Sequence, residues 1–261
     1  MTLLQTLLLG IIQGITEFFP ISSSGHLFVL KHFFGLQDVP LAYDVLLHGG
    51  SLVAIALYFH KEWLRMAKSI FLPKDKTYAS DRKLLATIIL GTIPVIVVGP
   101  FVKDYLEQVT SISLVLCSFS FSAIVFVCAE WWSKRHKQSV VITPQRGFLV
   151  GLGQVIGLLP GVSRSGITMS SGLFAGLDRT TAARFSFLLG TPAIAGATLL
   201  EAKVILTSGS SLGIYAIGAI VSMGVSLLSI SVLMNIIRRF PLWYFSIYLF
   251  SLVLVLLFIN G

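Results

Sequence analysis

The sequence predicts an all-α polytopic membrane protein, built as an inverted-topology repeat of six transmembrane helices and two re-entrant helical hairpins. Three observations carry this. Of 261 residues, 55% are hydrophobic and 11% charged, with a mean hydropathy of +0.90. Soluble domains carry about 25% charged residues, so an ordinary globular enzyme is excluded. The abundance of Leu, Ile, Val and Phe excludes disorder. Apolar runs recur at the ~20-residue length that crosses a hydrocarbon core. Finally, one Gly/Ser-rich pattern occurs twice. The 19 basic against 11 acidic residues give +8, which in such a chain reads as cytoplasmic loops beside anionic lipid and not as nucleic-acid binding.

Residues 1–36 are apolar but broken near Phe19-Pro20. They carry no basic residue before Lys31 and no small-residue cleavage site, so they are expected to stay in the mature fold. Full spans are expected at about 41–59, 84–102, 112–131, 185–206, 211–237 and 241–260. The stretch 61–83, with Lys61, Arg65, Lys68, Lys74, Lys76, Arg82 and Lys83 against three acids, is placed in the cytoplasm. Lys134, Arg135, Lys137 and Arg146, then Arg179 and Arg184, then Arg238-Arg239 all fall on that same side if the spans alternate. The weakly acidic Lys103, Asp104 and Glu107 fall on the other. Residues 147–177 lie between two cytoplasmic clusters and so cross an even number of times. They are too short for two spans and are interrupted by Leu159-Pro160-Gly161. A hairpin entering from the cytoplasm fits this segment, and parity makes 1–36 a hairpin entering from outside. Irregular backbone at membrane depth survives only when buried in protein or lining a wet cavity.

The two hairpins match at an offset of 141 residues: Gly10 with Gly151, Gln13 with Gln154, Ile15 with Ile156, Ile21 with Val162, and Ser22, Ser24 and Gly25 with Ser163, Ser165 and Gly166. Three spans separate them, an odd number, so the halves are inverted. The chain is expected to be one integral domain over 1–261, with repeat one at about 1–140 and repeat two at about 141–261. Such folds place their site where the broken helices meet, near the midplane.

Glu17 lies in an apolar run with Gln13 one helical turn earlier. A carboxylate at that depth faces a partner or a wet cavity. Pro20, Ser22, Ser23, Ser24, Gly25 and His26 follow at the break, a cluster suited to an anion with an acid, base or nucleophile nearby. The second break reads Pro160 to Thr168 and holds Arg164, which needs a counter-charge. Glu17 is one candidate, making a structural ion pair. Ser163, Ser165, Gly166, Thr168 and a helix start favour a bound phosphate instead. Asp44 and His48 share a face of the first span, as neighbours of the site or as its outer end. Trp131, Trp132, Trp243 and Tyr244 read as an interfacial belt, and Gly49-Gly50, Gly91 and Gly190 as close helix contacts. Cys117 and Cys128, eleven positions apart in one span, would sit ~16 Å apart on a helix, too far for a disulfide.

At these hairpins the sequence resembles the undecaprenyl pyrophosphate phosphatase family, which confers bacitracin resistance. Gln13-Gly14-Ile15-Thr16-Glu17 leading into Pro20-Ile21-Ser22-Ser23-Ser24-Gly25-His26 is similar to its first signature. Pro160-Gly161-Val162-Ser163-Arg164-Ser165-Gly166-Ile167-Thr168 is similar to its second, and Asp178-Arg179 with Ala182 to Ser186 also fits. Gln stands at 13 where the family also uses Glu, leaving Glu17 the sole acid there and arguing against a paired-carboxylate mechanism.

The resemblance implies hydrolysis of undecaprenyl diphosphate to the monophosphate in the bacterial inner membrane, recycling the lipid carrier of cell-wall synthesis. On that footing, Glu17, Ser23, His26 and Arg164 are expected to be catalytic. Gln13, Ser22, Ser24, Gly25, Ser163, Arg164, Ser165, Gly166 and Thr168 are expected to hold the diphosphate. Glu17 with Gln13 would bind Mg²⁺ or Ca²⁺, or Glu17 would act as base. For the attacking group, Ser23 activated by His26 is favoured over His26 itself or water. A lipid-phosphate flippase or anion transporter using the same cavity is the alternative. The site is expected to open to the periplasm. Oligomeric state, including a homodimer, is not legible.

Overall fold

A computed structural model describes residues 2–36, 39, 41–207 and 212–260. Every regular element among them is helical: α1 (Leu3–Thr16), α2 (Ser23–Phe33), α3 (Leu41–Tyr58), α4 (His60–Phe71), α5 (Ala79–Val109), α6 (Ile112–Arg135), α7 (Pro144–Ile156), α8 (Arg164–Phe174), α9 (Arg179–Thr207), α10 (Leu212–Arg239) and α11 (Trp243–Asn260), with a 3₁₀ turn at Lys76–Tyr78. Local chemistry sets the helix starts. Thr2 and Gln5 form a reciprocal capping box on α1. Ser111 caps α6, and Thr143 caps α7 with Pro144 at its first position.

Four helices, spanning Lys76–Leu106, Ile112–Arg135, Arg179–Leu200 and Gly213–Arg239, are long and apolar enough to cross a membrane. The bent pair of α3 and α4 makes five when counted as one span. The expected spans at 41–59 and 241–260 are both helical, but α3 qualifies only together with α4, and α11 falls among the shorter apolar helices. The expected start of a span at 211 lies outside the described residues. Two regions outside the expected spans are helical. The basic stretch 61–83 is mostly α4, the 3₁₀ turn and the start of α5, because Lys61, Arg65 and Lys68 alternate with apolar residues at helical spacing. Lys103 and Asp104 lie in the last turns of α5. The side chain of Glu107 lies outside the described residues.

The two interruptions fall where they were expected. α1 gives way to α2 across Glu17–Ser22, and α7 to α8 across Gly157–Ser163. Pro20 has no N–H to continue the first helix, and Gly161 at φ +81° turns the second. Ser22 and Ser163 then restart their helices alike, each accepting at 3.2 Å from the amide three residues on, Gly25 and Gly166. α3 packs between α9 and α10, α1 lies on α10, and α7 lies on α5. Both of the last crossings are closed by a glycine: a Cβ on Gly10 would sit 2.8 Å from the Gly218 carbonyl oxygen, and one on Gly151 would sit 2.1 Å from that of Gly91. α6 runs beside both α8 and α11, and its Phe119 and Phe126 are fully buried in the main core with Phe18, Phe185 and Leu189.

Candidate active site

The two breaks meet. Gly25 and Gly166, one turn into α2 and α8, admit the opposite break and the rings of α6. A Cβ on Gly25 would lie 2.4 Å from Phe119 Cε1 and 3.1 Å from Gly161 Cα, and one on Gly166 would lie 2.2 Å from Phe126 Cζ and 3.0 Å from Pro20 Cβ. Hydrogen bonds cross in both directions: the Gly161 amide donates to Ser24 Oγ at 3.4 Å, and Ser165 Oγ donates to the Phe19 carbonyl at 3.3 Å. The Ser163 amide donates to Ser122 Oγ at 3.2 Å, anchoring the second break to α6.

Glu17 is buried at the centre. Its Oε1 accepts from Arg164 Nη2. Its Oε2 accepts from Ser23 Oγ at 2.6 Å and from Gln13 Nε2 at 3.1 Å, and lies 3.7 Å from His48 Nε2. Arg164 Nη1 donates to the Gly190 carbonyl at 3.2 Å. One carboxylate thus gathers a hydroxyl from its own break and a guanidinium from the other. A narrow cleft opens beside it, lined among others by Glu17, Arg164, Ser165, Thr168, Ser186 and Gly190. Thr168 Oγ1 donates to the Arg164 carbonyl at 2.8 Å and shares a hydrogen bond with Ser186.

The structure does not pair His26 with Ser23. His26 Nδ1 lies 2.7 Å from the Ser22 carbonyl, which can only accept, so Nδ1 carries the proton. In the neutral ring Nε2 then accepts from Tyr248 Oη, also at 2.7 Å. The carbonyl that His26 holds belongs to a strained residue: Ser22, at φ +73°, is the one non-glycine with positive φ among the described residues. The hydroxyls of Ser22 and Ser163 serve as helix caps and those of Ser24 and Ser165 as stitches between the breaks, while Arg164, Ser165 and Thr168 also line the cleft.

Gly190 is also placed differently from its expected role as a helix contact. A Cβ there would meet Arg164 Nη1 at 2.9 Å, so the missing side chain makes room for the guanidinium. His48 and Tyr248 join the site from α3 and α11. Nothing in their own segments marks Tyr248, whereas His48 in an apolar span carried a signal. Glu130 was missed altogether. It is 1% exposed, takes three hydrogen bonds from Arg179, at 2.7 to 3.0 Å, and one from the Leu242 amide at 2.8 Å. An acid inside span 112–131 was itself a sign that such a partner existed.

The family model described as bacitracin resistance protein BacA matches residues 6–255. The chain belongs to this family. Relatives named undecaprenyl-diphosphatase are similar to the chain over nearly their whole length. One from Alteromonas mediterranea is 39% identical over 264 residues, covering 98% of both chains. One from Rubrobacter xylanophilus is 37% identical over 260 residues, covering 96% of this chain and 95% of the relative. One from Thermodesulfovibrio yellowstonii is 36% identical over 264 residues, covering 97% and 96%. Membership places the chain among multi-pass membrane proteins.

Proposed function

We propose that the cleft between the two breaks hydrolyses undecaprenyl diphosphate to undecaprenyl phosphate and inorganic phosphate. The chain is an undecaprenyl-diphosphatase. The observation that carries the site is the single carboxylate of Glu17, held by Arg164 from the opposite break and by Ser23 from its own. The diphosphate competes with Glu17 for the guanidinium, whose fork suits two phosphate oxygens. Taking Arg164 frees Glu17 to act on Ser23. Ser23 Oγ then attacks the terminal phosphorus as its proton passes to Glu17, the new O–P bond forming as the bond to the bridging oxygen breaks. Undecaprenyl phosphate leaves with that oxygen. Glu17 gives the proton it took to the departing undecaprenyl phosphate and is a carboxylate again. Water then attacks the phosphoserine phosphorus as its proton passes to Glu17, the Ser23 Oγ–P bond breaks, and Glu17 returns that proton to Ser23 Oγ as phosphate leaves. Glu17 thereby replaces His26 as the base for Ser23. His26, pinned by Tyr248, instead holds the strained Ser22 carbonyl and so aims Ser23. Positioning and charge stabilisation are most of what phosphoryl transfer asks of a protein.

The donor set suits a hard cation completed by substrate. Among the described residues no three His, Cys, Asp or Glu cluster, but Gln13 Oε1 is buried without a hydrogen-bond partner on the amide that donates to Glu17. Glu17 and Gln13 Oε1 would hold Mg²⁺ or Ca²⁺ with the phosphate oxygens, and the ion would neutralise their charge.

The matched glycine crossings of α1 on α10 and α7 on α5, and the matched caps Ser22 and Ser163, support reading the chain as an inverted repeat. In that reading both broken pairs are re-entrant, six spans complete the fold and the site opens to the periplasm. Rapid quench of turnover with terminally labelled substrate tests the Ser23 step. Label is expected on Ser23 in wild type, and full turnover by Ser23→Ala would remove the step. If the purified wild-type protein released no phosphate, lipid-phosphate transport in liposomes would become the leading activity.

A further inference from the structure

α4 leaves α3 at a bend of 74° and presents three different faces. At about 100° per residue, Met66 and Ser69, 1% and 0% exposed, turn to the protein. Leu64, Ala67 and Phe71 form an outward apolar stripe, with Leu64 57% and Phe71 81% exposed. Lys61, Arg65 and Lys68 form a basic stripe beside it, all exposed. The helix is held in this attitude by ion pairs at its edges: Arg65 to Asp81 at 2.9 Å, and Glu62 to Arg184 at 3.5 Å. Lys61 and Lys68, and Lys74 and Lys76 just beyond, make no ion pair among the described residues.

We infer that α4 and the turn through Lys76 are a docking surface for anionic phospholipid headgroups, with the helix lying in the plane of the membrane interface. An apolar stripe flanked by unpaired lysines, on a helix turned sharply from a preceding apolar one, matches what an interfacial helix requires: Leu64 and Phe71 enter the acyl boundary while the lysine stems reach up to phosphates. A soluble protein partner would account for the exposed apolar residues but not for the bend beside a span. The anionic leaflet accounts for the bend, the apolar stripe and the lysines together.

The test uses the full chain in nanodiscs of phosphatidylcholine alone or mixed with phosphatidylglycerol, on a Cys117→Ser, Cys128→Ser background. Single labels are placed at Leu64→Cys, Phe71→Cys and Lys68→Cys. Lipid-borne quenchers are expected to reach labels 64 and 71, and aqueous quenchers label 68. Phosphatidylglycerol retained by the protein is expected to fall about fivefold for each lysine neutralised among Lys61→Gln, Lys68→Gln, Lys74→Gln and Lys76→Gln, while phosphate release in detergent is unchanged. Aqueous quenching of 64 and 71 equal to that of 68 would overturn the inference. So would shielding of those labels from both quenchers, which would mean a protein covers the stripe, or lipid retention indifferent to the four changes.

Discussion

Glu17 and Arg164 form a pair that is 4% and 23% exposed at the side chain, and each leaves the other uncompensated when removed. Truncating one partner of a buried pair costs about 3–5 kcal/mol, so Glu17→Ala and Arg164→Ala are expected to lower the apparent melting temperature as well as activity. Arg164→Lys separates the two effects. It keeps the charge but loses the fork, and kcat/KM is expected to fall about 100-fold or more with little change in melting temperature. Tyr248→Phe removes the hydroxyl on His26 Nε2. It is expected to reduce kcat more than it changes KM and to shift the ¹⁵N resonance of that nitrogen, whereas an unchanged resonance would dissociate Tyr248 from His26. The residues proposed to bear the chemistry were legible because Glu17 and Arg164 are ionisable groups inside apolar runs. Their partners were not. Whether Ser23 meets His26 or Glu17, and whether Gly190 packs on a helix or on Arg164, depends on how helices far apart in sequence are brought together. Local spacing carries no such information.

The elements rest on close approach at a few glycines. Gly151→Ala would drive a methyl to within 2.1 Å of the Gly91 carbonyl, an atom fixed in α5. Overpacking of this kind costs about 1–3 kcal/mol, and a lower melting temperature in detergent is expected, with Gly10→Ala acting likewise on α1 and α10. Gly224→Ala, which meets nothing within 4 Å, is the control. Helix positions and both interruptions could be read from apolar run length, Pro20 and Pro160-Gly161. α4 and the end of α5 could not, because charge density alone does not distinguish a solvated loop from an amphipathic or extended helix. Here the 3.6-residue period of 60–71 was the signal to use.

At the scale of the whole molecule, the proposed inversion makes a sidedness statement. Labels near Thr2 and Ser111 are expected to react from the periplasm, and labels near Lys76, Lys137 and Arg239 from the cytoplasm. A cytoplasmic N-terminus would contradict the parity reasoning, which rests on the distribution of Lys and Arg. EDTA is expected to abolish phosphate release and Mg²⁺ or Ca²⁺ to restore it. The central claim is that the two breaks, one from each half, work as one hydrolytic site. A double-mutant cycle of phosphate release from undecaprenyl diphosphate in detergent, over wild type, Glu17→Gln, Arg164→Lys and the double variant, tests it most directly. Residues acting as a unit are strongly non-additive, so the double variant is expected to be about as impaired as the worse single one. Losses that multiply independently, or a Glu17→Gln enzyme with wild-type turnover, would contradict a shared site.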